Sequence, residues 1–218
     1  NEPLAEIRKA ANSAIDEFEK VQSIKKSTRE NIKLTQQKLE DLLKLIGQSS
    51  FSKIEDFVES LGSLRILRGE IISLKGLRYA DLPLIDEMEA KTAETMERLS
   101  GECVSFLLRD DALIPYVEKV KEANSDIEKV ETAKQGKITE ENLDKIGKQL
   151  ELMIEIVSNL KIEDATQTTR IIDSISAIFA NLNQSKAGLK RKLKELTGAE
   201  AVAEFGAQMK FIDQSIID

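Results

Sequence analysis

The sequence predicts an all-α protein, an elongated antiparallel helical bundle or coiled coil of about seven helices. Three observations carry that prediction. Apolar or small residues recur at alternating steps of three and four along the chain from Leu4 to Ile46, the period of a helix that lies along partner helices. Charged residues make up 33% of the sequence and aromatic residues 4%, with no Trp and no His; that balance suits narrow aliphatic seams. Cap and turn residues then punctuate the later stripes at short intervals, and short helix–helix turns set neighbours side by side in opposite directions.

The first helix is expected over Pro3–Ile46. Its stripe is Leu4, Ile7, Ala11, Ala14, Phe18, Val21, Lys25, Thr28, Ile32, Thr35, Leu39, Leu42 and Ile46. Pro3 falls in the first turn, where its missing N–H costs nothing. At 1.5 Å per residue the stripe runs about 65 Å. Such a helix is expected to protrude beyond a bundle or to pair with the end of the chain. Gly47 reads as its C-cap, and Ser52 with Glu55 as a capping box. That box opens a second stripe on Ile54, Phe57, Val58, Leu61, Leu64, Leu67, Ile71 and Leu74. Gly62, Gly69 and Gly76 interrupt it, which predicts a kinked or broken helix. A short hairpin over residues 71–79 is the alternative. Residues 1–80 are thus expected to hold the long coiled-coil helix and a Gly-interrupted segment, and residues 81–218 an antiparallel bundle.

Asp81 and Pro83 start the third helix, with Ile85, Met88, Thr92, Met96, Leu99, Cys103 and Phe106 as its seam. Asp110 and Asp111 are expected to begin the next, which carries Pro115, Tyr116, Val117, Val120, Ala123, Ile127 and Val130. Residues 134–138 read as a turn, after which Thr139 caps a helix on Leu143, Ile146, Leu150, Met153, Val157 and Leu160. A polar connection over 161–166 leads to a stripe of Ile171, Ile175, Ile178, Leu182, Leu189, Leu193 and Leu196. After Gly198 a last helix is expected on Val202, Phe205, Met209, Ile212 and Ile216.

Little catalytic chemistry is on offer. Without His and with one Cys, the chain supplies no Ser/His or Cys/His pair and no transition-metal ligand set. Cys103 excludes an intramolecular disulfide, fits a reducing, cytoplasmic compartment, and on its apolar stripe reads as a packing thiol. Gly136-Lys137-Ile138-Thr139 resembles the end of a phosphate-binding loop, but that loop needs a glycine five positions earlier and Glu131 stands there. Asp86 with Glu89, and Glu140 with Glu141, read as solvated charges and ion-pair partners. The sequence implies no cofactor. No apolar run is long enough to span a bilayer, and the mixed-charge N-terminus is not a secretory signal. The sequence opens on Asn-Glu-Pro and stops on FIDQSIID in mid-pattern, which suggests a segment of a longer protein.

Two cationic clusters stand out on a chain of net charge −7. Arg65, Arg68, Lys75 and Arg78 lie in the Gly-interrupted stretch, and Lys186, Lys190, Arg191, Lys192 and Lys194 on one later helix. Either could contact phosphates or an acidic partner, or form a solvated helix face. The long stripe itself fits protein–protein packing, within the chain or with another. It lacks the Trp/Phe/Lys-rich face that suits a lipid surface, so no membrane partner is expected.

The stretches RGEIISLKGLRYADLPLIDEME (68–89), CVSFLL (103–108), NLKIEDATQTTRIIDSISAIFANLNQSKAGLKRKLKEL (159–196) and EAVAEFGAQMKFIDQSI (200–216) carry a resemblance. They resemble the helical region of very large bacterial proteins named DNA repair ATPases. That family carries an AAA-type ATPase module elsewhere in its chain, along with a domain of unknown function. The resemblance covers about residues 61–218 and is weakest over the first helix. Its motifs are packing sequences, none of the family's nucleotide-binding motifs is present, and no functional residue is carried over. The resemblance implies a non-catalytic helical segment that oligomerises or positions a motor, or binds its partners. A free-standing coiled-coil scaffold or adaptor, and a weak DNA-binding module, are the alternatives.

Overall fold

The computed structural model describes residues 2–159 and 164–217, with the side chains of 213 and 215–217 excepted. Among the described residues the chain is all-helical, with no strand. The helices are α1 (Glu2–Gln48), α2 (Ile54–Leu74), α3 (Leu82–Leu107), α4 (Ile114–Glu128), α5 (Ala133–Asn159) and α6 (Ala165–Ile217). There are six of them where about seven were expected. Two compact units divide the chain, Asn1–Glu102 and Cys103–Asp218. The expected division after residue 80 coincides with the turn between α2 and α3, and the division between units falls inside α3.

In the first unit, α2 buries the whole of its expected stripe, from Ile54 and Phe57 to Ile71 and Leu74. The expected break at its glycines is corrected: Gly62 and Gly69 lie within one continuous helix. A helical Gly costs about 1 kcal/mol against Ala. Each fully buried Leu, Ile, Val or Phe returns about 1.5–3 kcal/mol, so eight of them outweigh the two glycines. No hairpin forms at 71–79. The core joins Ile32 and Leu39 of α1, Leu67, Ile71 and Leu74 of α2, and Ile85 and Met88 of α3. Lys38 pairs with Glu70 at 2.9 Å while Thr28 meets Arg78, so contacts climb one helix as they descend the other.

Local capping explains the boundaries. α1 runs through Gly47, which is not a C-cap; the Ser49 hydroxyl closes the end on the Leu45 carbonyl at 2.7 Å. The expected Ser52–Glu55 box moves by one residue. The Asp56 carboxylate accepts the Lys53 and Ser52 amides at 3.0 and 3.1 Å. Asp81 caps α3 as expected, its carboxylate taking the Leu84 amide at 3.2 Å. In the turn before it, Tyr79 adopts φ 63°, the one non-glycine residue at positive φ among those described.

The second unit is built on α4, α5 and α6. Asp110 and Asp111 do not start α4. Both are ion-pair partners in the turn, Asp110 of Arg170 at 2.7 Å and Asp111 of Arg109 at 2.9 Å, and the helix begins at Ile114 with Pro115 in its first turn. Tyr116 is fully buried and its hydroxyl donates to Gln149 of α5 at 3.1 Å. The expected turn at 134–138 is instead the first turns of α5. Thr132 and Gln135 form the box that starts it: the Gln135 side-chain Oε1 takes the Glu131 and Thr132 backbone amides, and the Thr132 hydroxyl takes the Gln135 backbone amide. Thr139 is therefore inside the helix and bonds back to the Gln135 carbonyl.

α5 and α6 meet at Gly136, where an added Cβ would lie 2.3 Å from Leu193 Cδ2. A side chain at this position would require Leu193 to shift. Seven residues on, Glu200 accepts the Ala133 amide at the start of α5, at 3.0 Å. These two contacts bracket Gly198, at which the chain was expected to break. The break is corrected: α6 passes through it as one helix of 53 residues. Leu160 and part of the polar connection expected at 161–166 lie outside the described residues, as does the side chain of Ile216; Asp164 caps α6 through the Thr166 amide.

The two glycines of this contact give opposite expectations. Gly198→Ala meets nothing within 4 Å and is expected to raise stability by about 1 kcal/mol. Gly136→Val is expected to lower it by about 1–3 kcal/mol through overpacking. Urea denaturation of the two variants beside the parent checks both signs.

Candidate functional site

The first cationic cluster is consumed by the packing of α1, α2 and α3. Lys75 reaches Glu89 at 2.6 Å and Asp86 at 2.9 Å, and Arg68 reaches Glu89 at 3.6 Å. The hydrogen bond to Glu89 raises the Lys75 pKa, and the same bond lowers that of Glu89. Arg78 stacks on Tyr79, 5.4 Å from the ring centroid, with Lys25 of α1 at 5.1 Å. Its carbonyl accepts the Thr28 hydroxyl at 2.8 Å. Arg65 lies exposed on α2. Arg68 and Lys75 thus tie α2 to α3 through their ion-pair partners Asp86 and Glu89, while Arg78 meets α1 through its backbone carbonyl.

The second cluster divides. Lys186 pairs with Asp144 of α5 at 2.8 Å. Lys192 donates to the Ile127 and Glu128 carbonyls at 2.7 and 2.8 Å. It thereby reaches the last carbonyls of α4, of which Ile127 also accepts the Val130 amide, at the pole of the helix that favours a cation. Lys190, Arg191 and Lys194 are exposed and have no ion pair or hydrogen bond with another described residue. They are the free anion-facing groups of the nine cations singled out in the sequence.

The Gly136–Thr139 run is closed to phosphate. It lies within α5, where the Gly136 amide donates to the Thr132 carbonyl and Leu193 fills the space beside it. Among the described residues no three carboxylate or thiol groups converge as a metal site. A groove of about 500 Å³ opens between α4 and α6, floored by Val117, Val120 and Ile178. On its edge the Ser185 hydroxyl bonds Asn124 and the Asn181 carbonyl. Its polar lining is Lys121, Glu128, the Ser185 hydroxyl and the amides of Asn124, Asn181 and Gln184. The Ser185 hydroxyl is bonded to Asn124 and a carbonyl rather than to a base. Cys103 is fully buried, and burial pushes its thiol up to about 12. A thiol so held is a packing group.

The groove and the capping role of Lys192 escaped sequence reasoning, since both depend on which helices meet. The Thr132–Gln135 box was legible as Thr-x-x-Gln, and was obscured by Gly136 four residues on.

Exposed large apolar side chains recur at the ends of the two longest helices. Leu4, Ile7, Ile15 and Phe18 project from α1, and Val202, Phe205, Met209, Phe211 and Ile212 from α6. A family model described as a domain of unknown function, DUF7902, matches residues 111–195, from the turn before α4 into α6. No curated protein and no solved structure matches the chain. No described helix is long and apolar enough to cross a membrane.

Burial of Cys103 predicts its reactivity. A thiol reagent at pH 8 is expected to label it only after denaturant is added, as followed by mass spectrometry. Because the folded pKa lies above the ordinary 9.0, the unfolded chain ionises first. Stability is therefore expected to fall as pH rises from about 9 towards 12.

Proposed function

We propose that this chain is a non-catalytic helical and coiled-coil segment of a DNA repair ATPase-like protein, of the cytoplasm. It acts through its helical seams, in oligomerisation, in positioning a motor or in binding a partner. In this reading the units are parts of an elongated antiparallel bundle, whose long helices reach beyond their own cores. The observation that carries it is the exposed apolar stripe on α1, continuous with a stripe that is buried further along the same helix. An apolar face of that extent on a helix marks an interaction surface. The site chemistry agrees. Arg68, Lys75, Lys186 and Lys192 are spent on helix contacts.

A second reading, weak DNA binding, is favoured by one observation: Lys190, Arg191 and Lys194 stand free on α6. Three cations on three phosphates give modest affinity with a log–log salt slope of about −3.

Two measurements test these readings. The purified chain is expected to hydrolyse no ATP above a protein-free blank, and turnover would refute the first reading. Fluorescence anisotropy with duplex DNA at low salt tests the second. Binding by the wild type that is lost in Lys190→Glu/Arg191→Glu/Lys194→Glu would support it, and no binding by the wild type removes it. Lys192 is spared, because its loss would uncap α4.

A further inference from the structure

The stripe of α1 keeps one phase from Leu4 to Ile46, and the first unit covers only its second half. Thr28, Ile32, Thr35, Leu39 and Ile46 are buried. The cover ends where Tyr79 lies under Lys25 and where the Arg78 backbone carbonyl accepts the Thr28 hydroxyl. Before that point every side chain from Glu2 to Lys20 is exposed, with Leu4 at 68%, Ile7 at 66% and Phe18 at 62%. A seam stepping 3.5 residues at a time is the imprint of another helix.

We infer that the occupant is the same segment of a second copy of this chain, laid antiparallel to the first. The proposal deepens the reading of the chain as a coiled-coil segment and rests on it. Continuity with the buried seam comes first. α2 runs opposite to α1 along these positions, so an antiparallel arm prolongs the interface that α2 begins. Register comes second. A two-fold axis between Asn12 and Ser13 sets Leu4 against the second copy's Val21, Ile7 against its Phe18, and Ala11 against its Ala14. Bulky layers then close both ends of a close-packed centre, as an isologous contact requires. The positions flanking the seam carry two charges, Arg8 and Glu17, and in this register neither meets its own kind.

The turn at Tyr79 sets the direction. Lys25 and Thr28 are seam positions, so the turn stands on the seam itself. Two parallel chains would bring both turns to the same level of the pair, where they compete for one space. Antiparallel chains put them at opposite ends.

Sedimentation of the whole chain over a concentration series is expected to show a reversible dimer; a monomer at every soluble concentration overturns the proposal. Ile7→Glu with Phe18→Glu changes only exposed positions, and is expected to abolish association while leaving the helical circular dichroism intact. A dimer that survives it places association elsewhere, such as the end of α6, and also overturns the proposal. Direction is read by disulfide formation, with the buried Cys103 silent. A mixture of Ala11→Cys and Ala14→Cys chains is expected to cross-link several-fold more than either alone. Ala11→Cys chains that cross-link equally well by themselves mean parallel pairing and reject the register. A monomer that hydrolyses no ATP removes the pairing alone, whereas hydrolysis removes the reading beneath it.

Discussion

A helix in water gains little from its own hydrogen bonds, and its stability in a protein comes from covering an apolar face. This chain makes that constraint visible because its helices are of such unequal length. α2 has 21 residues and buries a full stripe, which is enough to carry two interior glycines. α1 and α6 have 47 and 53 residues, and each is covered over part of its length only. The buried residues of α1 begin at Thr28, and those of α6 end at Leu189. The described structure therefore sorts into covered lengths, which make the cores, and uncovered lengths, which are free to meet something else.

Electrostatics follows from the same packing. Cations that looked alike in the sequence have separate duties, set by which helix lies opposite. Lys75 bridges two carboxylates of α3, Lys186 finds Asp144, and Lys192 finds the last carbonyls of α4. A salt bridge this exposed contributes about 0–1 kcal/mol. Its value lies more in fixing which faces meet. Lys190, Arg191 and Lys194 are exposed without an ion pair or hydrogen bond among the described residues, and that alone distinguishes them.

The all-helical class and most seam residues of the covered helix lengths were legible in the sequence, because a period of 3.5 to 3.6 survives without tertiary context. Which lengths are covered was not, and the expected seam positions Leu4 to Phe18 and Val202 to Ile212 are exposed. All eight expected seam residues of α2 are buried. The glycines misled. Gly47, Gly69 and Gly198 read as stops, yet each sits in ordinary helical backbone, and no described glycine has positive φ. The residue that does turn the chain through positive φ is Tyr79, whose type gives no such signal. It is held there between two cations and a carbonyl bonded to α1. Where a helix ends depends on what the next residues can touch, and that is set by the fold. The free cations of the candidate site were legible as a cluster; their separation from the engaged ones was not.

The seat of Leu193 on Gly136 has a mechanical consequence. Two smooth helices can slide past one another by one turn, about 5.4 Å, at modest cost. Here a slide of one turn would take Leu193 off Gly136 and against positions that carry side chains. The glycine is a detent: it sets the axial position of α6 against α5 and resists a pull along the helix. A load applied to the exposed end of α6 would pass into the second unit as shear at this notch. A 53-residue helix fixed in that way behaves as a strut, able to transmit displacement over its length without losing register at its base.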